Sequence, residues 1–209
     1  MASGDTPPLA LNRLSVYLRA LRALQREGIE RISSQRLASR FGLSAPQIRK
    51  DLAQYGEFGI RGIGYDVVSL RRRLEHVLGL DRRHAAVIVG AGNIGTALAR
   101  FPGLNTGAFH IVAVFDIDPK RIGARIGDLT VRDPLELAEV VESTGADMGI
   151  LAVPAEAAAE NYFALVGAGV RAVLNFAPVR LEEVDGVRVK DVDLTIFLEE
   201  LAHHLVSSS

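Results

Sequence analysis

Apolar residues in the first third of the chain recur at helical steps. Leu11, Leu14, Leu18 and Leu21 follow one another at intervals of three and four, which predicts one buried helical face. Gly28 is a natural stop. Ser33 and Ser34 offer N-caps for a short helix carrying Leu37 and Phe41, closed by Gly42. Ser44-Ala45-Pro46-Gln47 then reads as a capping box, with proline tolerated in the first turn. It opens a helix that runs to about residue 55, with Ile48 and Leu52 inward. Gln47, Lys50, Asp51 and Gln54 share its opposite face, with Arg49 beside them. Gly56, Gly59, Gly62 and Gly64 alternate with Phe58, Ile60, Ile63 and Tyr65, the pattern of a twisted β-hairpin with Arg61 near its tip. Ser69 is the expected cap of one more helix, with Leu70, Leu74 and Val77 inward and Arg71, Arg72 and Arg73 mostly outward. Gly79 ends it, and Asp81-Arg82-Arg83 reads as a linker.

From His84 the pattern changes to alternating strands and helices. Residues 85–89 form a continuous apolar run, as a strand buried on both faces should. A helix over residues 94–101 stops before Pro102. Strands are expected at 111–115, 148–153 and 170–176, and helices at 133–142 and 155–166. This alternation predicts a doubly wound parallel sheet. Leu194, Phe197, Leu198, Leu201 and Leu205 make an apolar stripe on a short final helix. Such a helix is marginal alone and needs a surface, on its own domain or on a partner. The expected fold is α/β: an N-terminal winged helix-turn-helix, a Rossmann-type doubly wound parallel sheet and a C-terminal helix. The expected domains are residues 1–83, 84–193 and 194–209.

Composition narrows the function. The 209 residues are 48% apolar and 23% charged, enough to bury a core and unlike a disordered chain. There is no stretch of uncharged apolar residues long enough to span a membrane, and residues 1–8 do not resemble a secretory signal. A cytoplasmic location is expected. There is no cysteine, hence no disulfide, thiolate nucleophile or Cys-bound metal, so any redox role must reach the protein through a bound molecule. The net charge of −1 hides a contrast: residues 1–83 carry 15 Lys and Arg against 8 Asp and Glu, and the remainder 9 against 17. A basic first third suits a polyanion, although two ordinary solvated surfaces would look the same.

Gly90-Ala91-Gly92-Asn93-Ile94-Gly95 follows a buried strand and opens a helix, the context that the dinucleotide fingerprint requires. Gly90 permits the tight turn, Gly92 lets the backbone approach a pyrophosphate, and Gly95 lets the helix pack close to the strand. Asp116 ends the next strand, 26 residues past Gly90, where an acid can bind a ribose 2′-hydroxyl and repel a 2′-phosphate. NAD is thereby favoured over NADP. In the basic segment, the helix begun at Ser44 is suited to the DNA major groove and the Arg61 hairpin to the adjacent minor groove. Ser44, Gln47, Arg49, Lys50, Gln54 and Arg61 are the candidate DNA contacts. The same fold used for protein contact or dimerisation is the alternative.

These segments together resemble Rex, a family of bacterial redox-sensing transcriptional repressors. The likeness runs nearly end to end. It includes Ile48-Arg49-Lys50-Asp51-Leu52, Tyr55-Gly56-Glu57-Phe58-Gly59, Arg61-Gly62-Ile63-Gly64-Tyr65, the glycine turn, Phe115-Asp116-Ile117-Asp118-Pro119, Val153-Pro154 and Leu174-Asn175-Phe176-Ala177-Pro178. The resemblance implies a homodimer that binds an AT-rich inverted repeat in double-stranded operator DNA and leaves it when NADH binds, with NADH/NAD⁺ as regulatory ligand. It places Arg49 and Lys50 on the recognition helix and Arg61 in the wing. It places Asn175, Phe176, Ala177 and Pro178, with Val153 and Pro154, around the nicotinamide. It implies a C-terminal helix swapped between protomers. Arg19 and Asp193 match residues that connect the first helix to the nucleotide domain. Phe101 stands where some members have Tyr, and Asp191 where Asn is common.

Two other functions compete. A dehydrogenase needs an acid or base beside the nicotinamide, and Val153, Pro154, Asn175, Phe176, Ala177 and Pro178 supply none. The region 153–178 also resembles CoA-binding modules of ligases, which have no basic winged helix in front. His76, His84, His110, His203 and His204 lie outside any metal-ligand spacing and read as structural or surface residues.

Overall fold

In the computed structural model, which describes residues 8–56, 58–60 and 63–207, the first helix, α1 (Pro8–Arg26), buries Leu14, Tyr17, Leu18, Leu21 and Leu24. Leu11 is 36% exposed, because the buried stripe runs through Ala10, about 100° around the helix from it. Strands β1 (Arg31–Ile32), β2 (Gly59–Ile60) and β3 (Gly64–Asp66) pair antiparallel in the order β1-β3-β2. Between β1 and β2 lie α2 (Ser34–Phe41) and α3 (Ala45–Ala53). Ser33 caps α2 by accepting from the Arg36 N–H at 3.2 Å, and left-handed Gly42 closes it. This element order is that of a winged helix-turn-helix, with β2 and β3 as the wing.

Three local expectations fail here for identifiable reasons. The capping box at Ser44 does not form: the Ser44 side chain makes no capping hydrogen bond. Gln47 instead turns its amide Nε2 to Asp51 Oδ1 at 2.7 Å. The helix α4 (Val67–Val77) is capped by Asp66, not Ser69. Asp66 ends β3 in extended backbone and accepts from the Ser69 N–H at 2.8 Å, so Ser69 already lies inside the first turn. Asp51, expected on the outer face of α3, is 2% exposed. Arg13 donates to both its oxygens at 2.6 and 2.8 Å, and the Tyr17 hydroxyl donates at 2.8 Å.

That cluster ties α3 to α1. The Arg13 guanidinium holds the Asp51 carboxyl down to about 2; the Tyr17 hydroxyl and Gln47 amide add to this, against the opposing effect of burial. Burial and the bond to Asp51 push the Tyr17 phenol up to about 12. Because Asp51 is depressed in the folded state, its contribution to stability is present above the ordinary carboxyl range and is lost as pH falls toward 2. Asp51→Ala is expected to destabilise the N-terminal unit by about 1–3 kcal/mol, chiefly from the orphaned buried Tyr17 hydroxyl, since the half-exposed Arg13 can turn to solvent. Urea unfolding at pH 7 measures this. The gap from wild type should narrow as the pH falls toward 3, and a gap that widened would contradict the assignment.

A second compact unit begins at Arg83. Its strands are β4 (His84–Val89), β5 (Phe109–Phe115), β6 (Arg125–Ile126), β7 (Leu129–Arg132), β8 (Met148–Leu151), β9 (Ala172–Asn175) and β10 (Arg188–Asp191). They form one sheet in the order β10-β9-β8-β4-β5-β7-β6, parallel except where β6 meets β7. Without β6 this is the Rossmann order. All six residues of β4 are buried, as its unbroken apolar run predicts. The helices are α5 (Asn93–Arg100), α6 (Leu137–Thr144), α7 (Ala155–Gly167) and α8 (Thr195–Ser207). One sheet face packs Val87, Phe115 and Leu151 under Val140 of α6 and Tyr162 and Leu165 of α7. The other packs Ile88, Val114 and Ile150 with Ala99 of α5. Every residue of α8 is exposed, including Phe197, Leu198, Leu201 and Leu205 at 60–70%. Among the described residues no helix is long and apolar enough to cross a membrane.

Candidate functional site

The carboxyl ends of β4, β5, β8 and β9 converge where chain order reverses about β4, the place where open parallel sheets bind ligands. Three backbone bonds fasten the ends together, each 2.8 Å long: Gly90 N–H to Phe115 O, Ala152 N–H to Val89 O, and Phe176 N–H to Leu151 O. The glycine turn sits on this rim, and its glycines have distinct jobs. Gly90 has φ of 101°, and a Cβ there would meet Ala152 O at 2.3 Å. A Cβ on Gly95 would lie 1.8 Å from Gly90 O, so this glycine is what allows α5 to start against the strand. Gly92 differs: its nearest neighbour would be Arg121 Nη1 at 3.7 Å, and the space above it is open. It is the N-cap of α5, where no side chain caps the helix and the first intrahelical bond is Thr96 N–H to Gly92 O. The N–H groups of Asn93, Ile94 and Gly95 therefore stand at the positive end of the helix dipole. Open space over a bare backbone at such an end fits a pyrophosphate.

Asp116 closes one side of this rim and is 7% exposed. Its Oδ2 accepts from the Ala91 N–H at 2.7 Å and from Arg121 Nη1 at 3.0 Å, and its Oδ1 from the Asp118 N–H at 2.8 Å. Burial pushes the Asp116 carboxyl up, but the N–H groups of Asp118 and Ala91 together with the Arg121 guanidinium outweigh it, and the group lies below its ordinary value. A carboxylate so held is a fixed acceptor for a ribose hydroxyl.

Val153 and the exposed Pro154 follow β8, and Phe176, Ala177 and Pro178 follow β9, on the same rim. Asn175 lies behind them, fully buried. Its Nδ2 donates to Val179 O at 2.7 Å and to Asp191 Oδ1 at 2.8 Å, and its Oδ1 accepts from the Ala177 N–H at 2.9 Å. Both its amide hydrogens are spent on the protein, so its role is to shape the wall rather than to face into the site. Asp191 thereby gains a function that the sequence did not reveal: it anchors the end of β10 to Asn175. Arg121 was also missed. The available signal was a basic residue five positions after the acid.

In the N-terminal unit, Arg49, Lys50, Gln54 and Ser44 are exposed on or beside α3, and Gln47 is half-buried with its amide engaged by Asp51. Arg49 Nη1 donates to the Ser34 hydroxyl at the start of α2 at 2.9 Å, which holds the guanidinium against the helix-turn-helix. Arg61 lies outside the described residues. Arg19 and Phe101 are exposed. Asp193 is exposed and accepts from the Thr195 N–H at 2.9 Å and hydroxyl at 2.6 Å, a turn just before α8 that holds the Asp193 carboxyl below its ordinary value. His84 is buried with Nδ1 2.8 Å from Asp147 Oδ2, and His76 is exposed beside Asp81.

A winged helix-turn-helix joined to a Rossmann sheet with an open glycine turn defines a ligand-responsive DNA-binding regulator. Comparison with known proteins agrees. A family model described as "Putative DNA-binding protein N-terminus" matches residues 5–53, and one described as "CoA binding domain" matches residues 81–179. The redox-sensing transcriptional repressor Rex of Chloroflexus aurantiacus is 42% identical over 98% of this chain and 97% of its own length. That of Pelotomaculum thermopropionicum is 45% identical over 99% and 97%. The crystal structure of RSP in complex with β-NAD⁺ and operator DNA matches with a TM-score of 0.92 at 34% identity, over 99% of this chain and 95% of that one. RSP in complex with β-NADH matches with a TM-score of 0.88 at 32% identity, over 99% and 97%. The chain belongs to the Rex family of redox-sensing transcriptional repressors, a family of regulators rather than enzymes.

Proposed function

We propose that this protein acts in the cytoplasm as a homodimer, holds an inverted repeat in operator DNA, and releases it when NADH binds, so that transcription follows the NADH/NAD⁺ ratio. The observation that carries the reading is a conjunction within one chain. Open Gly92 beside buried Asp116 forms a dinucleotide cradle, and α3 presents exposed Arg49 and Lys50 on a winged-helix unit. Residues 1–83 are the DNA-binding part, with Ser44, Gln47, Arg49, Lys50, Gln54 and Arg61 as its contacts. Residues 84–193 bind the dinucleotide through residues 90–95, Asp116, Val153, Pro154 and Phe176, with Asn175 setting the wall. Arg19, Phe101 and Asp193 are the switch residues. RSP is known with NAD⁺ and operator DNA together, and also with NADH, which supports the pairing of the two ligands.

Residues 194–209 are the dimerisation element. The face of α8 that carries Phe197, Leu198, Leu201 and Leu205 is uncovered within the chain. An apolar depression of about 270 Å³ lies on the α5 side of the sheet, lined by Leu104, Phe109, Ile111, Met148 and Ile150, with Arg188 and Lys190 at its margin. The helix of a second copy fits it in polarity, and Glu199 and Glu200 of that helix complement the two cations.

The sign of the response follows from desolvation. The wall of Phe176, Ala177 and Pro178 carries no charge, so it accepts the neutral ring of NADH at less cost than the cationic ring of NAD⁺. Closure around the neutral ring resets the dimer and moves the two recognition helices off the spacing a two-fold site requires. Fluorescence anisotropy of an inverted-repeat duplex at fixed salt tests this. NADH is expected to weaken DNA binding by roughly 5- to 150-fold, and DNA to weaken NADH binding by the same factor. NAD⁺ should leave the complex intact at concentrations where NADH dissolves it. Equal release by both nucleotides, or by neither, would refute the proposal.

A further inference from the structure

The helix α3 is short and lightly held. Of its nine residues only Ile48, Asp51 and Leu52 are buried, and no side chain caps its start. Spaced three and four apart, these residues share one face. Ile48 and Leu52 seat the helix in the core, but apolar contact has no direction and leaves it free to roll or slide. Direction comes from Asp51. Its Oδ2 accepts from Arg13 Nε at 2.6 Å and from the Tyr17 hydroxyl at 2.8 Å. Its Oδ1 accepts from Arg13 Nη2 at 2.8 Å and from Gln47 Nε2 at 2.7 Å. Arg13 and Tyr17 stand one turn apart on α1, so both arrive from the same helix face. The two-pronged arginine bond fixes angle as well as distance. A carboxylate offers about four acceptor positions, and these bonds fill them. At 2% exposure, Asp51 has no surface and no lone pair left for DNA.

We infer that Asp51 is a positioning residue for operator recognition: with Arg13 and Tyr17 it sets the roll of α3, and through Gln47 it sets how an amide is offered to the bases. The inference rests on the DNA-binding role proposed above. Arg49 and Lys50 immediately precede Asp51 and are exposed, so a roll of α3 about its axis swings both. Gln47 lies in the first turn of the helix, the part that meets base edges. One of its two Nε2 hydrogens is spent on Asp51, which settles which way the amide is turned. The other hydrogen and Oε1 form a donor–acceptor pair of the kind that reads an adenine edge. Phosphate contacts carry no sequence information, and long side chains can follow the backbone through a small roll. Base contacts cannot, so the effect of Asp51 falls on sequence discrimination rather than on affinity for DNA as such.

The experiment compares two duplexes of equal length: an inverted repeat that the wild-type chain selects from a randomised pool, and its scrambled counterpart. Fluorescence anisotropy at fixed salt gives the ratio of the two affinities. Asp51→Asn keeps the shape of the side chain and gives up its charge. It is expected to lower the ratio by about fivefold or more, the lower end of one base contact. Tyr17→Phe removes one hydroxyl from a side chain that is 2% exposed and so out of reach of DNA. It is expected to lower the ratio by about twofold or more, the lower end of one hydrogen bond. Both losses should arise on the inverted repeat, while affinity for the scrambled duplex does not fall and NADH affinity stays as in wild type. Lost stability alone would weaken both duplexes together and leave the ratio unmoved. Wild-type ratios in the folded variants therefore overturn this inference and leave the DNA-binding role intact. Where Asp51→Asn does not fold, Tyr17→Phe decides alone. A wild-type chain that selects no duplex overturns the DNA-binding role itself.

Discussion

A chain truncated after Asp193 is expected to be monomeric at micromolar concentration and to hold operator DNA more than about a hundredfold more weakly, because two linked half-sites become two separate ones. The magnitude comes from α8. Phe197, Leu198, Leu201 and Leu205 are all more than half exposed within the chain. Each side chain of this size contributes about 1.5–3 kcal/mol when fully buried, and a dimer buries both copies of the helix. Across two helices that is about 12–24 kcal/mol at full burial, the scale needed to leave roughly 8 kcal/mol of net dimerisation energy once the cost of association is met. Sedimentation equilibrium reads the first effect and DNA anisotropy the second. A truncated chain that stayed dimeric would place the interface elsewhere, and a monomeric full-length chain would mean that α8 folds back on its own sheet.

Gly92→Asp is expected to abolish dinucleotide binding and leave the fold in place. The two halves of the expectation have separate causes. A Cβ at Gly92 would find nothing nearer than 3.7 Å, so the backbone need not move. The carboxylate, however, projects over the N-terminus of α5, where it occupies the phosphate position and opposes the charge of a pyrophosphate. It also becomes a third acid near Arg121. NADH titration should show no saturable fluorescence change, and operator DNA should be retained at NADH concentrations that release it from wild type. The melting temperature should shift by no more than about 2–4 °C. Gly95→Ala provides the contrast: its Cβ would overlap Gly90 O at 1.8 Å, so that variant should lose stability as well as binding. If Gly92→Asp bound NADH like wild type, the glycine turn would not be the cradle.

Much of this arrangement is legible in the residues because period and punctuation agree. The run in β4, the glycines of the turn and the acid at the end of β5 are local signals, and each falls where the fold uses it. The strands that escaped, β1, β6, β7 and β10, are only two to four residues long. β6 has two residues, and β10 reads Arg-Val-Lys-Asp; both owe their strand character to a neighbour already in place rather than to their own pattern. Asp51 misleads for a different reason. Helical periodicity places a charged residue outside unless donors from elsewhere meet it, and here Arg13 and Tyr17 arrive from another helix 34 to 38 residues away in sequence. Asn175 is the same lesson within the site. Its motif marks the wall, but only the carbonyl of Val179 and the carboxylate of Asp191 show that its amide is consumed in building it. Arg121 carries no motif of its own, and its meaning comes from the carboxylate it touches.

The position of β10 has a consequence for the behaviour of the protein in a crowded cell. As the last strand of the sheet it turns backbone groups outward, and one of them, the Val189 N–H, is already held by Glu183 Oε1 at 3.0 Å. Glu183 also pairs with Arg188, whose Nη1 lies 3.2 Å from its Oε2, so the segment before β10 lies along part of that edge. At the opposite rim β6 is only two residues long and runs against its neighbour, too brief to seed a continuing ladder. The sheet is thus guarded against edge-to-edge aggregation at both ends, by the Glu183 side chain at one and by brevity at the other. Glu183→Ala would uncover the Val189 N–H and open this rim to strand addition while leaving the nucleotide turn untouched.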